Sequence, residues 1–534
     1  MLNIISYDVG TSGLKACLFR IDEKIKLVEG EYETYKLYVL DNGGAEQDVE
    51  EWWSVLCRCT KRLLEKSGVR AEDIDGISFC SQMQGLVLVD SEGNAIRRAM
   101  TYMDQRGVKE MEEVQKHGIT ISGVNVRKLL KSVHIASTAA TTPKDPIWKY
   151  KWVEKNEPDV YKRIYKWLDV KEYLICRMTG EFIMTPDSAY ATFLYDTRKG
   201  HEGISKSLCK MYGIRYEHFP RIIECHQVVG TLRDKQAKEL GLVEGIKVYG
   251  GGGDASLIGV GAGAAKLGDT HIYCGSSGWV STVTDKQQVD VISMIAALVG
   301  AIKGRYNYFA EMETAGKCFE WVKDHLALDE INIYLDKMNI GDSHESERIS
   351  LYDYLSDVIS RVNPGSDGVI FTPWIHGNRC PFEDTHAKGV FFNIGINTGK
   401  SQMLRAVIEG ICYHLRWMLE CSAKKVTASD EIRFVGGGAL SPVTCQILAD
   451  ILGRRIITID NAQDAGAIGA AMLVALGEGY IDSLSKANEF VPVKNIYEPN
   501  IENKKIYDKQ FGVFKQLYKS NAKNFKTLNG QGGD

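Results

Sequence analysis

The stretch SYDVGTSGLKACLFRID, residues 6–22, joins two apolar runs through a turn rich in glycine and hydroxyls. Residues 2–7 are β-branched and apolar, and residues 14–21 are apolar again. The pair predicts a β-hairpin closed at Gly10-Thr11-Ser12-Gly13. A purely structural hairpin does well with Asn-Gly and has no use for an acid before the turn. Here Asp8 precedes the turn and Lys15 follows it. Glycines let backbone N–H groups approach phosphate oxygens, and a lysine adds charge. An aspartate cannot hold a phosphate directly, but it can hold Mg²⁺ through the ion's water shell. The stretch therefore fits a plain turn or one half of a nucleotide site, and the remaining chain has to decide between them.

At 534 residues the chain exceeds the ~250–300 residues at which a single core stops growing, so two or more domains are expected. Hydrophobic residues at 44% and charged ones at 25% describe an ordinary globular protein. A net charge of −4 offers no basic face to nucleic acid or to an acidic membrane. The 13 cysteines are odd in number and include no C-x-x-C pair, which speaks against a disulfide framework and a structural zinc site. The first ten residues have no basic start, and the longest run of small apolar residues, 465–476, is too short to cross a bilayer. The expectation is a cytoplasmic protein with neither membrane nor nucleic acid as partner.

Beyond the hairpin, residues 25–38 read as a strand and 48–67 as a helix, with Val49, Trp52, Trp53, Leu56, Leu63 and Leu64 at helical spacing. Strands follow over 74–80 and 86–90. Strands first and helices later is not the simple βαβ repeat of a dinucleotide fold. A comparable order returns late. A strand over 432–435 runs into GGGALSP, where Ser441 suits an N-cap and Pro442 a first helical residue. Another strand over 455–460 leads to the helix DAGAIGAAMLVAL (464–476). Residues 401–421 carry the clearest helical stripe, a domain change is placed at 247–254, and the tail from 501 predicts one exposed helix with frayed last residues.

Three more glycine turns stand out. In KVYGGGGDASLIGVGAGAA (247–265) a strand runs into four glycines and then Asp254, at the start of a small-residue helix. Asp254 fits a helix cap, but the glycines clear side chains from what could be a cleft. Gly259, Gly261 and Ala264 match G-x-G-x-x-A, yet no strand immediately precedes them, so they read as close helix packing rather than a dinucleotide fingerprint. IYCGSSGWVS (272–281) is a second hydroxyl-bearing hairpin turn, and FVGGGALSP (434–442) a glycine turn opening a helix. Two such hairpins could clamp a polyphosphate between lobes, and the triple glycine could let a purine lie against backbone. His376, Cys380, Asp384 and His386 lie on no common helix face that would converge on zinc. Neither a G-x-S-x-G elbow nor a G-x-x-x-x-G-K-[ST] loop occurs.

Taken together, these residues resemble the FGGY carbohydrate kinases, in particular their xylulokinase-like members, over nearly the whole chain. DVGTSGLKA resembles the family's D-x-G-T-[ST]-x-x-[KR] phosphate loop. PIWKYKWVEKN (146–156) matches its first signature, with Asp145 replacing the leading residue. GVFFNIGINTGKSQMLRAVIEG (389–410) matches the second, with Asn393 where glycine is usual. The resemblance implies an α/β fold of two ribonuclease-H-like lobes, as in actin and the sugar kinases, around a central cleft. Residues 1–247 would form the sugar- and phosphate-binding lobe, and 248–534 the lobe for ATP and the catalytic base. Carried over, Asp254 is the general base, and Asp8 organises Mg²⁺ and the phosphates of ATP. Thr11, Ser12 and Lys15 line the phosphate path, Ser276 and Ser277 approach from the second lobe, and Gly437, Gly438 and Ser441 border the adenine. Met83, Gln84, Asp104, Arg106 and Asp254 would face the sugar, and a homodimer is expected.

The departures concern the sugar. Gln84 stands where xylulokinases usually have His, Tyr102-Met103 where they have Trp-Asn, and Ala255 where Asn or Gln is common. A pentulose such as xylulose is the first expectation. Ribulose, erythritol, glycerol or gluconate is the alternative, and a non-kinase ATPase on the same fold is the competing class.

Overall fold

The computed structural model describes residues 1–116, 118–121, 123–326 and 356–530. β1 (Leu2–Val9) and β2 (Gly13–Ile21) are the arms of the predicted hairpin, and β3 (Ile25–Thr34) extends it antiparallel. β4 (Gly76–Ser81) lies parallel to β1 on its other side. No tight turn reaches a parallel neighbour, so the chain crosses over through α1 (Val49–Ser67). Asp48 caps α1 by accepting the Glu50 N–H at 2.9 Å, and Gly68 closes it at φ +66°. Its buried face of Trp52, Trp53, Leu56 and Leu63 covers β2 and β3. β5 (Val228–Thr231), β6 (Lys247–Tyr249) and the short β7 (Gly252–Gly253) complete the sheet. The order is β5-β6-β4-β1-β2-β3, with β7 also on β4.

After α2 (Asp254–Gly261) a second sheet repeats this plan. β8 (Thr270–Cys274) and β9 (Gly278–Thr284) form a hairpin. β10 (Val289–Asp290) and β11 (Ile295–Val299) form the edge, and β12 (Tyr306–Met312) joins that edge to β9. α3 (Gly316–His325) and α4 (Lys400–Ser422) precede β13 (Glu431–Val435), which lies parallel to β8. α5 (Pro442–Leu452) leads to β14 (Arg455–Ile459), parallel to β13, and β15 (Val493–Tyr497) closes the far edge. The inner strands run β3-β2-β1-β4-β6 in one sheet and β12-β9-β8-β13-β14 in the other. These are the two ribonuclease-H-like lobes that the resemblance implied.

The lobes are joined by a helix crossing. α6 (Ala465–Gly477), from the far end of the chain, packs on β1 and β4 and against α2. A Cβ on Gly261 would lie 1.7 Å from the Ala465 carbonyl oxygen, and one on Gly469 2.3 Å from that of Leu257. The G-x-G-x-x-A match is therefore helix packing, as its position in the sequence indicated. One reading needs correction. The C-terminal helix α7 (Lys504–Asn529) is not simply exposed, because it buries Tyr507, Phe511, Phe514, Leu517 and Phe525 along one stripe. Arg405 of α4 donates to the Tyr507 hydroxyl at 2.9 Å beneath it. The last residues, 531–534, lie outside the described chain.

Candidate active site

Asp8 stands directly opposite Lys15 across the first hairpin. Its turn is closed by the Gly10 N–H on the Gly13 carbonyl at 3.0 Å. Every carbonyl of the turn is held from behind. Gly10 accepts from the Gln82 amide at 3.2 Å and from the Tyr35 hydroxyl, Thr11 from Gln47 at 2.6 Å, and Ser12 from the Tyr35 N–H at 3.3 Å. With those carbonyls held, the turn carries the half-buried Thr11 and the exposed Ser12 at its tip. Gly13 has to be glycine, because a Cβ there would sit 2.8 Å from the Tyr32 ring. Lys15 reaches across the sequence to α6, donating to Asp464 and to the Gln463 carbonyl, both at 2.8 Å. Burial pushes the Asp8 carboxyl up to about 6; Lys15 opposes this shift and Asp464 adds to it.

Asp254 lies one strand away. Asp8 and Gly252 flank Cys80 of β4 on opposite sides, so β1, β4 and β7 end together in parallel, with Asp254 just beyond β7. Ligands of open α/β sheets bind beyond such strand ends. Asp254 is the first residue of α2, and the N-cap is Gly253, which has no side chain to cap with. One Asp254 oxygen accepts the Ala255 N–H at 2.7 Å. Burial pushes this carboxyl up to about 7, and the negative charges of Asp8, Glu311 and Asp187 contribute to the shift.

The preceding glycines do not empty a cleft, contrary to the reading from sequence. A Cβ on Gly251 would meet the Phe79 carbonyl oxygen at 2.5 Å, and one on Gly253 the Met83 sulfur at 2.3 Å. The room they leave is filled by the protein itself.

The segment after β4 carries Met83 and Gln84. Gln84 has φ +64°, a left-handed conformation that is strained for a residue with a side chain. Its carbonyl accepts from Lys149 at 2.7 Å, and Lys149 also donates to the Thr101 carbonyl at 2.7 Å. The next N–H, of Gly85, donates to Asp169 at 2.8 Å. Lys149, the lysine of the first signature, is thus a buried staple behind the loop, its amine pushed down to about 8 by burial. Asn393, in the second signature, also adopts a left-handed conformation, at φ +66°, which asparagine tolerates where glycine is usual.

Asp104 and Arg106 are not brought to this opening. Asp104 has no exposed surface and accepts from the Arg106 guanidinium at 2.7 Å and from the Ala45 N–H at 2.9 Å. Arg106 also donates to Glu46 at 2.6 Å and lies over the Trp152 ring. Tyr102 of this segment is exposed, and its hydroxyl is 3.4 Å from that of Thr11.

On the second lobe the Gly275-Ser276-Ser277 turn is closed by the Gly275 N–H on the Ser277 carbonyl at 3.0 Å. Its carbonyls are also held from behind, Gly275 by Gly316 at 2.6 Å and Ser276 by Ala315 at 3.1 Å, at the start of α3. Ser276 is exposed and Ser277 half-buried. The Gly436–Gly438 turn packs on the same hairpin. Gly436 has φ +90°, and a Cβ there would lie 2.6 Å from the Cys274 carbonyl oxygen. Ser441 caps α5 as its sequence indicated, accepting the Thr444 N–H at 3.2 Å, and its buried hydroxyl also meets Ser356 at 2.7 Å.

Sequence reasoning did not single out Asp464, Asp187, Glu311 or Arg379, the last two ion-paired at 2.6 Å. Only the Asp464-Ala465-Gly466 start of a small-residue helix offered a local signal.

Comparison with known proteins accounts for this arrangement. The model of the FGGY family of carbohydrate kinases, N-terminal domain, matches residues 3–261, and that of the C-terminal domain matches residues 271–478. A xylulose kinase of Bacillus subtilis is 28% identical over 522 residues, 97% of each chain. A gluconokinase of the same organism is 25% identical over 519 residues, 96% of this chain and 95% of the other. The crystal structure of a ligand-bound xylulose kinase from Lactobacillus acidophilus superposes with a TM-score of 0.83 at 24% identity, covering 99% of this chain and all of that one.

Proposed function

This chain belongs to the FGGY family of carbohydrate kinases, and from that premise we propose that it phosphorylates a pentulose, with xylulose the first candidate and ATP the donor. The observation that carries the proposal is Asp254. It is a carboxylate just beyond the parallel strand ends of β1, β4 and β7, close enough to Asp8 to feel its charge.

In this reading Asp254 takes the proton of the attacking sugar hydroxyl as the new oxygen–phosphorus bond forms and the bond to the bridging oxygen of ADP breaks. Phosphoryl transfer asks little covalent chemistry of the protein, so a base, positioning and charge compensation are sufficient. Thr11, Ser12 and the N–H groups of their turn receive phosphate oxygens, and Lys15 adds its charge to that path. Ser276 and Ser277 meet the phosphates from the other side, and Gly437 and Gly438 lie along the adenine. Ser441 already caps α5, so its part is to fix that turn.

Among the described residues no three His, Cys, Asp or Glu side chains gather as an all-protein metal cage. The single carboxylate of Asp8 fits Mg²⁺, which keeps several waters and leans on substrate phosphates. Asp8 would hold that ion, whose contribution is to neutralise charge on the phosphates.

On the sugar side, Gln84 offers a donor and an acceptor without charge, and Met83 packs the base of the loop. Asp104 and Arg106 shape the wall from behind. The greater identity to the xylulose kinase than to the gluconokinase of the same organism favours a ketose over an aldonate. The proposal assigns sugar and phosphate binding to residues 1–247, ATP binding and the base to 248–534, and includes a homodimer and a cytoplasmic location. No helix of the described residues is long and apolar enough to cross a membrane. Sedimentation gives the oligomeric state. ADP release over a panel of ketoses, polyols and sugar acids tests the substrate, with pentuloses expected to be the best acceptors. Preference for gluconate-type acids would overturn the pentulose and leave the kinase standing.

A further inference from the structure

Asp187 has no exposed surface, yet its carboxylate grips the turn that presents Asp254. One oxygen accepts the Gly253 N–H at 2.7 Å, while the Ser256 hydroxyl donates to the Val299 carbonyl at 3.3 Å. Gly253 lies immediately before Asp254. Gly253 is the N-cap of α2 and has no side chain, so a carboxylate from a distant element serves the start of the helix in its place. On the opposite side Met83 allows no side chain at Gly253. The turn is therefore held between Met83 and Asp187.

The other Asp187 oxygen accepts from the Thr185 hydroxyl at 2.5 Å, and the Cys225 thiol lies 3.7 Å away. Behind it Lys171 donates to Thr185 at 2.6 Å, to Ser188 at 3.0 Å and to Glu172. Burial disfavours charge on Asp187, but Lys171 and these hydrogen bonds outweigh it and hold the carboxyl below its ordinary range. A buried ionic cluster is rarely the most stable way to fill a core, because desolvation offsets much of its Coulombic gain. The point at which this cluster meets the opening between the lobes is the Gly253–Asp254 turn.

We propose that Asp187 is a positioning residue, which fixes the direction of the Asp254 carboxylate through the Gly253 N–H. The inference rests on Asp254 being the base. It is tested by introducing Asp187→Asn into the wild type and into Asp254→Asn, with kcat and both KM values measured in each. In the wild type, kcat falls about 10- to 100-fold, the size of a positioning loss, and KM for sugar and ATP changes by less than about twofold. In the Asp254→Asn background the same substitution changes kcat by less than about twofold, because residues that act through one another are not additive. An equal loss in both backgrounds, or a loss expressed in KM, overturns the proposal. Thr185→Val removes one hydrogen bond that holds the Asp187 carboxylate and leaves the buried ions in place, so it keeps the test decisive if Asp187→Asn does not fold. It is expected to lower kcat about three- to tenfold, the worth of one hydrogen bond, and only where Asp254 is present. Full activity of Asp254→Asn alone would instead refute the base assignment, which distinguishes the two failures.

Discussion

The two hairpins share one plan and differ in what stands beside the turn. Each links antiparallel strands through Gly-hydroxyl-Ser, ties its carbonyls from behind, and has a parallel strand at its flank. Two residues before the first turn stands Asp8, and two after its closing glycine Lys15. The same places in the second hairpin hold Tyr273, stacked on Trp279 with ring centres 4.1 Å apart, and the buried Val280. The backbone plan is repeated, and charge is placed on one copy only. In the proposed reading the first turn would meet phosphate with charge beside it, and the second with hydroxyls alone.

The largest expected effect concerns Asp254, the proposed base. Asp254→Asn is expected to lower kcat by roughly 10²–10⁴-fold with ATP binding retained, as for a positioned general base. Near-normal turnover would leave the hairpins without a reaction centre. Next, Asp8→Ala should reduce kcat/KM for Mg·ATP about 10²-fold or more, with sugar affinity little changed. Ser276→Ala removes one neutral donor from the other copy and should cost about three- to tenfold. Equal losses from the two substitutions would erase the asymmetry.

The pH dependence sharpens the comparison further. A base must be ionised, and the Asp254 carboxyl is raised to about 7, so kcat/KM should fall roughly tenfold per unit as pH drops below about 7. The sign for stability is the opposite. A carboxyl that is raised on folding binds its proton more tightly in the native state. Its contribution to stability is present at low pH and is lost as pH rises from the ordinary carboxyl value near 3.8 through about 7. Asp254→Asn should therefore raise Tm more at pH 8 than at pH 5. A Tm difference that is the same at both values would show that the carboxyl is not raised.

The smallest effect is in overall dimensions. If the hairpins close on one ligand, sugar with a non-hydrolysable ATP analogue should reduce the radius of gyration measured by X-ray scattering. An unchanged profile at confirmed occupancy would mean that the two mouths do not act as a clamp.

Much of this frame was legible in the chain itself. The Asp8–Lys15 hairpin, the helix α1 and the Ser441-Pro442 start of α5 all follow from residues within a few positions of one another. Turn chemistry, capping and periodicity are local, so they survive translation from sequence to structure. The space beside Gly251 and Gly253 escapes a reading of the sequence because the residues that fill it, Phe79 in β4 and Met83 just after it, lie about 170 residues earlier, far outside the span of local turn rules. The C-terminal helix was misjudged because its apolar stripe is diluted by lysine and asparagine, and only α4 beneath it shows which face is covered.

What the sequence alone determined is the repeated strand order, the glycine turns and the family. What only the tertiary structure decided is where the charges point. Lys15 turns to Asp464, 449 positions away, Arg106 to Glu46, 60 away, and Asp187 to the Gly253 N–H, 66 away. The physical reason is that a buried charge settles on whichever partner can replace its lost water, and that partner is supplied by the packing of distant elements rather than by neighbours in the chain.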